Sequence, residues 1–239
     1  MTADPLIQVI GLRKAFVGHP VLEDVTFAVH PGQAVALLGA NGAGKTTLLR
    51  IIATLTRPSR GTVHVAGHDA LRQAERVRAQ VALVAHGSWI YEDLTGAENL
   101  KFWATLGGLA ADSDTRRTAL ATVELDRVAD ERARTYSAGM KRRLSLARLL
   151  LFRPRVLLLD EPFAGLDQRA GKWLDTYLGA FTTAGGAVVV ATHSFGRGLG
   201  VAHRIAILGG GRIACDVPAA ALTLDDVRRL YDLHAEESA

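Results

Sequence analysis

No apolar run among the 239 residues approaches the roughly 20 that a helix needs to cross a bilayer. The opening stretch, Met1-Thr-Ala-Asp-Pro-Leu-Ile-Gln8, lacks the basic segment followed by an apolar core that marks a secretory leader, so a chain soluble by itself, without direct membrane insertion, is expected. A single cysteine excludes a disulfide framework and a cysteine-rich metal site, which fits a reducing cytoplasm, and Cys215 reads as structural. Aromatics make up only 6%, and the basic pairs Arg116-Arg117, Arg142-Arg143 and Arg228-Arg229 are scattered without rings between them that could stack on bases. The net charge of +4 therefore reads as solvated helix faces, and no nucleic-acid partner is expected. His64 and His68 have no third ligand nearby in the sequence and read as strand and turn residues. Internal repeats, low-complexity tracts and long linkers are also missing, while 49% hydrophobic content is ample for a core.

What is present centres on Gly39-Ala40-Asn41-Gly42-Ala43-Gly44-Lys45-Thr46-Thr47, which fits the phosphate-loop pattern G-x-x-x-x-G-K-[ST]. Val35-Ala-Leu-Leu38 leads in as a buried strand and Thr47 to Ala53 leads out at helical spacing, the context that the pattern requires. Glycines let successive N–H groups point inward at a helix N-terminus, a place that favours a polyphosphate, so a nucleoside triphosphate is the expected ligand. Lys45 would reach the β- and γ-phosphates and Thr46 would offer its hydroxyl to Mg²⁺, a hard cation that prefers oxygen.

Along the chain, Leu6–Ile10 and Val21–Val29 read as strands about a Gly18-His-Pro20 turn, with Phe16 just before it. Thr62–Ala66 alternates as a strand, residues 71–79 read as a charged helix, and Val81–Val84 as a short strand. From about 87 to 152 the periodicity is mainly helical, over Thr95–Leu106, Asp114–Glu124 and Gly139–Phe152. Strands return at Val156–Asp160, Ala187–Thr192 and Arg204–Leu208, and Leu224–His234 reads as an amphipathic helix. The pattern is an α/β core with a helical insertion.

Two further stretches carry chemistry. Val156-Leu-Leu-Leu-Asp160 runs into Glu161-Pro162, which puts two carboxylates at the end of a buried strand, where α/β sheets place ligands. Asp160 suits a metal and Glu161 suits the orienting and deprotonating of water, although read alone Asp-Glu-Pro is equally a charged turn. Tyr136-Ser137-Ala138-Gly139-Met140 opens a helix with Ser137 as N-cap, a second anion-binding helix start.

The phosphate loop, this helix start, Asp160-Glu161-Pro162, Ala164-Gly-Leu-Asp167 and His193 stand in the order and spacing of the ATP-binding-cassette ATPases, and the chain resembles that family from residue 6 to about 215. The resemblance implies an α/β P-loop NTPase core, with a mixed central sheet and an antiparallel β subdomain, plus an inserted α-helical subdomain. It implies a nucleotide-binding domain over 1–217 with the helical part at 87–152, and a helical tail over 218–239. It implies Mg²⁺ and ATP hydrolysis at a site shared between two nucleotide-binding subunits, a homodimer being expected, which serve an integral membrane permease from the cytoplasmic face of the cell membrane as peripheral subunits. Phe16 matches the aromatic that stacks on adenine, and Ser137 and Gly139 match the signature that caps the γ-phosphate of the opposite subunit, with Ala138 for a usual Gly and Met140 for a usual Gln. Asp167 matches the loop coupling the two sites, and His193 matches the switch histidine at the γ-phosphate. His86 stands where the family usually has a Gln, and Val84–Leu100 is similar to the heme-exporter ATPases of cytochrome c maturation. Exporters of the multidrug or ABC-2 type are the alternative, with a soluble cassette ATPase, such as one for iron-sulfur assembly, as a third. Trp89, Ile90 and Tyr91 read either as part of a groove for the permease or as core of the helical region.

Overall fold

The computed structural model describes residues 4–85, 89–109, 112–196 and 198–235. The chain divides into two compact units, one of residues Met1–Leu83, Pro154–Pro162 and Asp175–Ala239, the other of Val84–Arg153 and Phe163–Leu174.

The first unit opens with β1 (Ile7–Phe16) and β2 (His19–Val29), an antiparallel pair in which Phe16 faces His19. Both strands run further than the apolar alternation predicts, because the turn is Val17-Gly18, with φ of 48° and 83°. Positive φ at both central residues matches the twist of a hairpin, yet a fully exposed valine there carries no turn signal in the sequence. After β3 (Ala34–Leu38) and α1 (Lys45–Ile52) come β4 (Arg60–Val65), the two-residue β5 (His68–Asp69), α2 (Ala74–Arg78) and β6 (Val81–Val84). Helix α2 starts later than expected because Asp69 Oδ1 accepts the Leu71 and Arg72 N–H groups at 2.8 and 2.9 Å, which gives that segment a turn instead.

The strands form two sheets, the antiparallel β2-β1-β4-β5 and a six-stranded sheet that includes β7 (Val156–Asp160), β8 (Ala187–Thr192), β9 (Arg204–Gly209) and β10 (Arg212–Pro218). Its order is β10-β9-β3-β8-β7-β6, with β9, β3, β8 and β7 parallel and β10 antiparallel to β9. Every residue of β3, β7 and β8 is buried, as continuous apolar runs in a parallel sheet require. Strand β10 is not predicted, because most of its residues are only partly buried and its polar residues break the apolar run.

In the second unit α3 (Gly96–Leu106), α4 (Ser113–Thr122) and α5 (Ala138–Ala147) pack around Leu100, Trp103, Leu120, Leu125 and Leu144. Thr95 and Glu98 make a reciprocal capping box at the start of α3. Helix α5 stops at Ala147 and tightens into a 3₁₀ turn over Arg148–Leu150, short of the predicted Phe152, since Pro154 disfavours helix just before it. Trp89 and Tyr91 are exposed, while Ile90 packs on the core and Tyr91 meets Phe102 edge-on at 4.5 Å. The largest element, α6 (Gln168–Thr183), is not predicted, although Ala170, Leu174 and Leu178 recur every fourth residue. Gly179 and three threonines dilute that signal. The expected tail helix is α7 (Leu224–Ala235). Cys215 sits half-buried against an apolar cluster, and burial raises its thiol pKa, which suits a structural residue.

Asn99 is fully buried in α3 and ties the preceding loop to it, accepting the Tyr91 N–H at 2.9 Å and donating to the Tyr91 and Thr95 carbonyls at 3.0 and 2.9 Å. Replacing Asn99 by Ala leaves the Tyr91 N–H without its acceptor, the two carbonyls keeping backbone partners, and is expected to cost about 2 kcal/mol. Chemical denaturation of the full chain, with the midpoint compared between variant and parent, checks this.

Candidate nucleotide site

The loop Gly39–Gly44 joins the C-terminal end of β3 to the N-terminus of α1. Gly39 packs so closely on β9 that a Cβ there would lie 2.6 Å from the Leu208 carbonyl oxygen, and Gly44, the N-cap of α1, takes the left-handed conformation at φ 103°. No side chain caps α1 and no acidic residue stands in its first turn, so its leading N–H groups and positive dipole end are available to an anion. Lys45 is buried and folds back over the loop, donating to the Gly39 and Ala40 carbonyls at 2.6 and 2.9 Å. Burial lowers its pKa, and the nearby Glu161 and Asp160 carboxylates oppose that shift.

The next two strands of the sheet bring polar ends to the same edge. Asp160 closes β7, and its Oδ2 accepts the Thr46 hydroxyl at 2.7 Å, which sets two oxygen donors side by side, as a hard divalent cation requires. Glu161 follows with φ 48°, a left-handed backbone uncommon outside glycine, and its N–H donates to the Ala191 carbonyl at 2.9 Å. Its carboxylate is held at both oxygens. Thr192 donates its hydroxyl to Oε2 at 2.9 Å, the His193 N–H donates to Oε1 at 2.8 Å, and the His193 ring Nδ1 lies 2.6 Å from that same oxygen, so a proton sits between them. Glu161 is mostly buried and His193 mostly exposed, an arrangement that can present an anchored base beside a ring able to reach a ligand.

The structure thus gathers Lys45, Thr46, Asp160, Glu161 and His193 at one sheet edge. Thr192 escapes sequence reading, the only signal being its place directly before His193 at a strand end. Phe16 ends β1 half-exposed, with the Lys14 ammonium 4.5 Å from its ring centroid.

In the second unit Ser137 caps α5, accepting the Met140 N–H at 3.2 Å. A Cβ on Gly139 would lie 3.3 Å from the Gly165 carbonyl, so glycine there allows the helix start to abut the loop that leads to Asp167. Asp167 accepts the Ala170 N–H at 2.8 Å, which together with the Arg169 N–H and the charges of Arg143 and Arg169 lowers its pKa. His86 lies outside the described residues.

A glycine-rich loop between a buried parallel strand and a helix, with Asp160 ending and Glu161 following the strand two places along the sheet, has the arrangement of a P-loop nucleotide site. Residues 22–164 match the family described as ABC transporter, and the chain belongs to that family, as an ATPase subunit that binds ATP. It is 38% identical over 190 residues, 80% of this chain and 84% of the relative, to a cytochrome c biogenesis ATP-binding export protein of Cupriavidus necator. A daunorubicin resistance ATP-binding protein of Streptomyces coeruleorubidus is 35% identical over 216 residues, 90% of this chain and 68% of that protein. Among solved structures, the ATP-binding subunit of an ABC transporter superposes with a TM-score of 0.82 at 32% identity, covering 96% of this chain and 94% of that one. A dimeric ATP-binding cassette bound to ADP and Pi in a post-hydrolysis state also superposes at 0.82, covering 90% of this chain and 100% of its own, and at 23% identity it speaks for the fold.

Since a methyl group at Gly39 would collide with the Leu208 carbonyl, Gly39→Ala is expected to displace the loop and weaken ADP binding about tenfold or more. Calorimetric titration with ADP, with circular dichroism to confirm that the variant is folded, checks this.

Proposed function

We propose that this ATPase subunit powers export through a separate membrane permease, and that its cargo is heme delivered for cytochrome c biogenesis. The observation that carries the cargo is identity of 38% and 40% to two cytochrome c biogenesis export proteins over 80% and 77% of the chain, together with the Val84–Leu100 segment similar to the heme exporters. A second reading, a drug exporter, is favoured by the longer alignment, 90% of the chain, with the daunorubicin resistance protein.

The residues take the following roles. The loop Gly39–Thr47 cradles the phosphates, Lys45 leaves the Gly39 and Ala40 carbonyls for the β- and γ-phosphates, and Phe16 stacks on the adenine. Thr46 and Asp160 would hold Mg²⁺, which would neutralise charge on the phosphate oxygens. Glu161 orients and deprotonates the attacking water, its carboxylate aimed by Thr192 and His193, and His193 also contacts the γ-phosphate. Ser137 and Gly139 cap the γ-phosphate held by a second copy of the subunit, and Asp167 couples the two sites. ATP then acts as the adhesive of a homodimer whose closing and opening, coupled to binding and hydrolysis, drive the permease. His86, in the sequence place of the family's usual Gln, hydrogen-bonds water or phosphate at the nucleotide, and exposed Trp89 and Tyr91 dock the permease. The subunit works peripherally at the cytoplasmic face of the membrane, consistent with the absence, among the described residues, of a helix long and apolar enough to cross it. Residues 1–217 form the nucleotide-binding domain with its helical part at 87–152, and 218–239 a helical tail.

Glu161→Gln removes the base and keeps the shape, so ATP binding is expected to persist while turnover falls by about 10²-fold or more and an ATP-dependent dimer accumulates. Steady-state hydrolysis and gel filtration with ATP check this; turnover at the parent rate removes Glu161 from its role. For the cargo, the tagged chain is captured from detergent-solubilised membranes of its host with ATP present. A heme-export permease among the co-purified proteins is the expected result, a permease of another class would discard heme, and soluble partners alone would discard export.

A further inference from the structure

The first unit carries a second concave site. A cavity of about 430 Å³ opens on the antiparallel sheet and is walled by Arg13, Lys14, Arg60 and Arg212, with Glu23 its one carboxylate. Its volume falls within the range of small-molecule sites, and Ala15, Pro20 and the buried Leu22 give it an apolar floor. Arg13 and Arg60 face each other directly in the β1–β4 register. Like charges directly opposite across an antiparallel pair destabilise the sheet. Arg212 is balanced by Glu23 at 3.4 Å, but among the described residues neither Arg13 nor Arg60 has an ion-pair partner. The Lys14 ammonium rests over the Phe16 ring, and Ser59 Oγ accepts the Ala15 N–H at 3.1 Å, with its own hydrogen able to donate into the cavity.

We propose that this cavity is an anion site for a small phosphate-bearing ligand, gripped by the opposed Arg13 and Arg60 guanidinium groups, with Arg212 and Lys14 completing the positive wall. Planar guanidinium forks suit phosphate oxygens, and a phosphate between Arg13 and Arg60 converts their mutual repulsion into two charge-assisted contacts. The apolar floor suits a phosphate that carries an organic part, whether a free phosphorylated metabolite or a lipid headgroup. None of the lining residues belongs to the phosphate loop.

The test titrates inorganic pyrophosphate into the full chain saturated with ADP, which closes the phosphate loop to the probe. One further site per chain is expected, weakened about tenfold or more in Arg13→Ala/Arg60→Ala and largely kept in Arg13→Lys/Arg60→Lys, with ADP affinity and ATP turnover unchanged in both. In parallel, sedimentation with phosphatidylglycerol vesicles is compared with phosphatidylcholine vesicles. Arginine-dependent pyrophosphate binding without vesicle binding assigns a soluble ligand, and arginine-dependent binding to the anionic vesicles alone assigns a headgroup. Binding of neither probe, or binding that the double alanine variant retains, overturns the proposal. A failure to bind ADP would instead count against the nucleotide reading, and the dependence on Arg13 and Arg60 would still decide this one.

Discussion

Register between three parallel strands is the constraint on which the site rests. Leu38 of β3 faces Thr192 of β8, and Asp160 of β7 faces Ala191, so the loop after β3, the carboxylates after β7 and the Thr192-His193 pair after β8 arrive at one edge together. Slipping β3 or β7 by one residue would turn its side chains to the opposite face and part Thr46 from Asp160, and slipping β8 would part Thr192 from Glu161. Burial of every residue in the three strands makes that slip costly. The hydrophobic core therefore determines the geometry of the polar edge.

At that edge the protein tolerates features that a merely stable fold would avoid. Lys45 is buried with its pKa lowered, its ammonium spent on loop carbonyls that a phosphate ligand would release. Glu161 holds a left-handed backbone and is kept there by its N–H bond to Ala191 and by side-chain bonds from Thr192 and His193. Strain of about 1–3 kcal/mol at such a residue persists only where the surroundings over-determine it. These bonds do so, and they fix the direction of the carboxylate.

Most of the candidate site was legible because its chemistry is local in sequence. A glycine-rich loop between an apolar run and a helical period, and Asp160-Glu161 after another apolar run, name both the residues and their place at strand ends. Strands β6, β7 and β8 have the predicted bounds for the same reason, as short apolar runs between turn residues. Signals failed where polar residues carried structure. Helix α6 hides its fourfold apolar spacing among threonines and Gly179, β10 breaks its apolar run with polar residues, and Val17 occupies a turn against its own preference.

By itself the sequence determined the class of protein, the strand, loop and helix that carry the phosphate-loop pattern, and the acidic pair at the end of β7, because each depends on neighbours within a few residues. Tertiary structure decided that Thr192 holds Glu161, that Gly39 must be glycine because Leu208 passes over it, and that Arg13 faces Arg60 across a strand pair. Those facts join residues 31, 169 and 47 positions apart, and only strand register brings such residues within reach of each other.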